Sequence, residues 1–236
     1  MNKKYEFTGE IKTEFGVTLQ RIRALLSFGV INKGDIGGWI SSKHNLSANG
    51  NAWVYGEARV YGEARVSGNA LVSGKARVSG DAQVYGNAWV YGKAQVYGNA
   101  QVSGDAQVYG NAWVYGNAQV YGNAWVYGNA WVYGNAWVYG KARVYGNAWV
   151  YGNAWVSGDA QVYGKADLFL VGPLGSRRAY LTVHTDTKLS VRFTTGCFSD
   201  NQSNFESAIA ETHGDNEYAR QYRAAIALAL MIVKSK

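Results

Sequence analysis

One cysteine, three histidines and no concentrated run of charge are what this chain of 236 residues has least of. The single thiol, Cys197, excludes an internal disulfide and any zinc site built from several cysteines, and it agrees with a reducing compartment. The net charge of +7 is spread as excesses of +3, +2 and +2 over residues 1–50, 51–167 and 168–236. Counterion release on a phosphate backbone favours a concentrated basic track, so a nucleic-acid partner is disfavoured. Long apolar runs are also missing. The first twelve residues are polar overall, unlike a secretory signal, and the run from Ala224 to Val233 is about half of what a bilayer requires. No membrane association is expected, and the expected setting is the cytoplasm. With 47% apolar residues the chain is rich enough to fold into one substantial domain or two small ones.

What the sequence has in abundance is a repeat. From Ala52/Val54 to Ala160/Val162 the pattern Ala-x-Val recurs nineteen times at a period of six without an insertion, and Ala166-Asp167-Leu168 closes the series. On an extended strand Ala and Val share one face. The slot between them holds Trp53, Gln83, Arg59, Leu71 or Asp167, and the slot after Val holds Tyr61 or Ser67. Charged and amide side chains are rarely buried unpaired, so Ala and Val point inward and the variable slots point outward. Gly followed most often by Asn, as in Gly110-Asn111, marks a corner every six residues, because both residues tolerate positive φ. Three corners close an eighteen-residue triangle, and successive triangles stack roughly 4.8 Å apart. The expected fold is an all-β parallel solenoid of six to seven coils around a narrow Ala/Val prism.

An aliphatic residue every six positions with a small one two before it resembles the hexapeptide-repeat superfamily of left-handed β-helices. That resemblance alone implies the handedness. The family usually carries a small or acidic residue after the aliphatic one, where Tyr or Ser stands here. The entry segment Gly34-Asp35-Ile36-Gly37-Gly38-Trp39-Ile40, followed by Asn45-Leu46-Ser47, is similar to the start of bacterial YdcK-type members.

The organisation expected is an N-terminal β cap over residues 1–50, the repeat over 51–170 and a small C-terminal α/β module over 171–236. In the cap, Lys4 to Thr8 and Val17 to Leu26 read as strands, and Ile40 and Leu46 already keep the six-residue spacing. In the module, Tyr180 to Thr185 and Leu189 to Thr194 read as a hairpin around Asp186-Thr187. Two helices follow, Asn204 to Thr212 and Asn216 to Val233, separated by His213-Gly214-Asp215. The second becomes apolar on most sides and must pack on the hairpin and last coil or serve an oligomer interface. The set Gly196-Cys197-Phe198-Ser199, Phe205, His213-Gly214-Asp215-Asn216 and Tyr222 resembles a C-terminal module of phage and prophage proteins of unassigned function, which implies a phage or prophage origin.

Chemistry is harder to find. Many hexapeptide-repeat proteins are acyltransferases with a catalytic histidine and an extruded loop, and resemblance to them makes an acyl-coenzyme A enzyme the first alternative. This repeat has no histidine and no loop, since His44, His184 and His213 all lie outside it. A nucleophilic Cys197 with His184 or His213 as base is outweighed by a structural reading: a small buried cysteine, a solvent-facing His184 and His213 at a helix end. No catalytic residue, metal ligand or cofactor is assigned.

The aromatics are the remaining candidates. Positions eighteen apart stack, which puts Trp113, Trp131 and Trp149 in one column and Trp137 with Trp155 in the next. Tyr97, Tyr115, Tyr133 and Tyr151 form one file, and Tyr91 through Tyr163 another. Such ladders stabilise the coils, and an exposed apolar strip also marks an interface. The expected binding residues are Trp113, Trp131, Trp149, Trp137, Trp155, Tyr115, Tyr133 and Tyr151. The expected function is a rigid, non-enzymatic binding or assembly protein, with a protein partner or a second copy in a homo-oligomer. A saccharide or a single nucleic-acid strand on the ladders is a further alternative.

Overall fold

The structure, a computed structural model, describes residues 4–14 and 16–233; residues 1–3, 15 and 234–236 of the expected end regions lie outside them. Nineteen two-residue strands, from Trp53–Val54 to Gln161–Val162, occupy every Ala-x-Val unit. They pair in parallel with the strands eighteen residues away, as in Trp113↔Trp131↔Trp149 and Val114↔Val132↔Val150. Three sheets result, and the seven-stranded one counts the coils: a parallel β-solenoid of about seven turns. Every Ala and Val of the repeat is fully buried, so the interior is the expected prism.

The corners explain the glycines. Gly116 has φ +70°, and a Cβ added there would lie 3.1 Å from the backbone nitrogen of Gly134 in the next coil. An L side chain is disfavoured by the conformation and obstructed by the neighbour. The residue after the glycine ties coils together again: the Nδ2 of Asn99, Asn117 and Asn135 each donates to the Oδ1 eighteen residues on, at 3.2, 3.0 and 3.1 Å.

A solenoid's open ends expose unpaired backbone groups that must find partners. At the N-terminal end the strands Tyr5–Glu14, Val17–Ala24 and Ile36–Ile40 form an antiparallel extension of one solenoid sheet, joined to it through Trp39↔Arg59 and Ile40↔Val60. Ile40 pairs with Val60 and Leu46 with Val66, so the first coil runs two residues longer than the rest. Lys4 Nζ donates to the carbonyls of Ala52 (2.7 Å) and Ser47 (3.2 Å), and the Tyr5 hydroxyl to that of Leu46 (3.0 Å). This cap overturns one expectation: Trp53 does not face solvent. It is fully buried under Tyr5 and Phe28, with ring centroids 6.3 and 5.5 Å away.

At the other end, strands Leu168–Leu174, Ala179–Asp186, Ser190–Thr195 and Phe198–Asp200 form an antiparallel sheet in that order. The hairpin was expected; its two outer strands were not. Helices α1 (Gln202–His213) and α2 (Glu217–Ile232) begin where Asn201 Oδ1 accepts from the Asn204 amide and Asn216 Oδ1 from that of Ala219. They pack Phe205, Ile209, Tyr222 and Ile226 against Leu181, Val183, Val191 and Phe193. Strand Ala179–Asp186 also closes the solenoid. Thr182 Oγ1 accepts from the Trp155 amide at 3.0 Å, and the Thr185 hydroxyl donates to the Gln161 carbonyl. Asp167 adds a carboxylate that accepts from the amides of Tyr163 (2.8 Å) and Gly164 (3.0 Å).

His184 is therefore not solvent-facing but fully buried in this joint. Its Nδ1 lies 3.1 Å from the Thr185 carbonyl, to which it donates when protonated, and its Nε2 has no partner among the described residues. Burial depresses its pKa to about 4, so the imidazole is neutral at ordinary pH. Helix α2 buries one stripe, but Leu228, Leu230, Met231 and Ile232 at its end remain 37–74% exposed.

Candidate functional site

The outward slots form three faces, one per sheet. On the first, the register Arg59–Arg77–Gln95–Trp113–Trp131–Trp149 runs beside the file Tyr97–Tyr115–Tyr133–Tyr151. Trp113 and Trp131 stack with centroids 5.2 Å apart and planes 5° from parallel, and Trp131 and Trp149 at 5.6 Å and 17°. The tyrosines stack at 4.9, 5.1 and 5.9 Å. These spacings follow the coil rise, which is set by backbone pairing and happens to suit ring stacking.

The two files also brace each other. Tyr97 meets Trp113 edge-to-face at 6.1 Å and Tyr115 meets Trp131 at 6.4 Å, each pair sixteen residues apart. Where glutamine fills the slot sixteen residues on, the tyrosine hydroxyl donates to it instead: Tyr85 to Gln101 and Tyr91 to Gln107, both at 3.2 Å. The outer surface is thus a two-dimensional lattice, with stacking along the axis and lateral contacts across it. Burial raises the pKa of Tyr91 and Tyr97, and burial followed by neighbouring phenols raises those of Tyr109, Tyr115, Tyr127 and Tyr133.

Of the eight expected residues, Trp113, Trp131, Trp149, Tyr115, Tyr133 and Tyr151 share the first face. Trp137 and Trp155 stack at 5.3 Å on the second, beside a Tyr121–Tyr139 stack at 5.1 Å that the sequence reading overlooked although the same eighteen-residue rule reveals it. The third face holds Tyr91, Tyr109, Tyr127 and Tyr145 in a stack, but its tryptophans are isolated, with Trp125 under the Arg143 guanidinium at 5.0 Å. The double file is three tryptophans and four tyrosines long on the first face and two of each on the second.

Stacking decides what the face can do. Apart from Tyr151, which is 40% exposed, the six rings are only partly exposed, because each interior ring spends its planes on its neighbours. The top plane of Trp149 is covered by Lys165 Nζ, 3.6 Å from the ring centroid. Solvent therefore meets ring edges and phenol hydroxyls in a long stripe, which suits an extended macromolecular surface better than a sugar or base that needs a free plane.

No cluster of three or more His, Cys, Asp or Glu able to hold a metal occurs among the described residues. Cys197 is exposed, not buried as expected, because Gly196 turns the chain outward between two strands. It lines a cavity with His213, while His184 is sealed in the joint; no hydrogen bond joins Cys197 to either among the described residues. No described helix is long and apolar enough to cross a membrane.

The repeat is similar to a known one. The family model of the YdcK beta solenoid repeat matches residues 64–80, 82–98, 100–116, 106–122, 118–134, 124–140, 142–158 and 148–164. Several of these matches overlap by a shift of six residues, so each hexapeptide phase is recognised in turn, and all fall within the solenoid. No curated protein matches the chain.

Proposed function

We propose that the protein is a rigid, non-enzymatic scaffold that associates with another protein, or with a second copy of itself, along the first face of the solenoid. The observation carrying this reading is the unbroken double file Trp113–Trp131–Trp149 and Tyr97–Tyr115–Tyr133–Tyr151, with its ring edges turned to solvent. Solenoids commonly bind through one extended side, and a lattice held at every coil needs little ordering on association. The exposed end of α2 offers a second apolar patch at the far end of the molecule.

The test is association measured by sedimentation and by capture of partners from the native host, comparing the native chain with Trp113→Ser/Trp131→Ser/Trp149→Ser. The slot between Ala and Val holds polar Gln in other coils, as at Gln95 and Gln119, so a polar residue there should leave the coils intact, as circular dichroism checks. Complex formation should be lost; unchanged association would remove this face from consideration.

A further inference from the structure

The C-terminal module contains a cavity of about 260 Å³ between the sheet and the helices. Its apolar wall is aromatic: Phe198 and Phe205 lie 5.0 Å apart between centroids, and Phe205 meets Tyr222 edge-on at 5.7 Å. His213 stacks on Tyr222 at 5.9 Å. The polar lining comes from Arg177, Thr195, His213 and neighbouring hydroxyls, and none of the residues lining it is acidic.

The rim of this cavity is fixed in place. The turn at Gly175 is pinned where its amide donates to Gln221 Oε1 at 3.0 Å, and a Cβ there would lie 2.5 Å from the Tyr222 hydroxyl. Only glycine permits this approach, which brings Ser176 and Arg177 to the mouth. Arg178 completes the turn in the left-handed region at φ 50°, a conformation that non-glycine residues hold only when their surroundings impose it.

We propose that this cavity binds a small organic acid, with its carboxylate toward Arg177 and an apolar body of about one ring against Phe198, Phe205 and Tyr222. A guanidinium donor without an opposing carboxylate in the lining selects an anion, and the aromatic wall selects an apolar body. The volume lies just below the range of about 300–1000 Å³ usual for drug-sized ligands and fits a compact acid.

Cys197, the only cysteine of the chain, lines the cavity and is exposed, so its alkylation by iodoacetamide reports occupancy at one position. Phenylacetate serves as the probe and neutral phenylacetamide as its control. Saturable protection by phenylacetate, about tenfold weaker with phenylacetamide, is the expected result. Arg177→Gln, at an exposed position, should reduce protection by phenylacetate to the level seen with phenylacetamide, each protein being measured against its own alkylation rate without ligand. Equal protection by acid and amide, no protection at millimolar phenylacetate, or full protection in the Arg177→Gln variant would each overturn the proposal. Association along the solenoid face is independent of this outcome.

Discussion

The solenoid and the C-terminal module bury apolar surface in opposite ways. In the solenoid each coil contributes the same small Ala/Val ring and meets only the coils above and below, so stability accumulates by repetition. The module has one compact core in which Phe205 touches Phe193, Phe198 and Tyr222 at once. Damage should therefore stay local and graded in the first, but spread through the whole of the second.

The largest consequence concerns Phe205, which is 3% exposed. Phe205→Ala should cost about 3–5 kcal/mol and melt the module while the coils persist. Calorimetry should then resolve two transitions, with early proteolysis confined to residues beyond the solenoid. A single transition shifted as a whole would show that module and solenoid fold as one unit.

A second contrast is in pH. The pKa of His184 is depressed from 6.5 to about 4 in the folded protein, so its contribution is present above pH 6.5 and lost as pH falls toward 4. That shift corresponds to roughly 3 kcal/mol, lost in acid at the joint between module and solenoid. The stacked tyrosines behave in the reverse sense. Their folded pKa values are raised, so their contribution is complete below pH 10 and is lost as pH rises through the raised values. Acid should loosen the module first and alkali the solenoid, as near-ultraviolet circular dichroism and tyrosine absorbance can follow. His184→Gln should flatten the decline between pH 6.5 and 4.

The smallest effect separates the ladder from its single rungs. Tyr115→Ser removes two stacked neighbours and an edge contact, for about 1–3 kcal/mol, whereas Tyr85→Ser removes one exposed hydrogen bond, for about 0.5–1 kcal/mol. Urea midpoints that fall equally for the two would show that stacking adds nothing beyond the backbone ladder.

The solenoid was legible in the sequence because its environment is periodic: every Ala and Val sees the same neighbours, so period and register follow from spacing alone. The readings of Trp53 and His184 went astray for one shared reason. An outward slot is a solvent slot only where nothing lies over it, and both residues sit where the ends are covered. Strands Leu168–Leu174 and Phe198–Asp200 were missed because the first carries consecutive apolar residues instead of an alternation and the second is only three residues long. The columns of Trp113 and Trp137 were legible by the eighteen-residue rule. Their lateral bracing by tyrosines sixteen residues earlier was not, because it depends on the separation of side chains across a face.

Face against face is the most direct comparison for association through the double file. Sedimentation equilibrium should be run on Trp113→Ser/Trp131→Ser/Trp149→Ser beside Trp125→Ser/Trp137→Ser/Trp155→Ser, which removes as many tryptophans from the other two faces. Association, with itself or with a captured partner, should vanish in the first variant and remain near native strength in the second. Equal loss in both variants, or retention in the first, would refute the assignment of the first face as the interface.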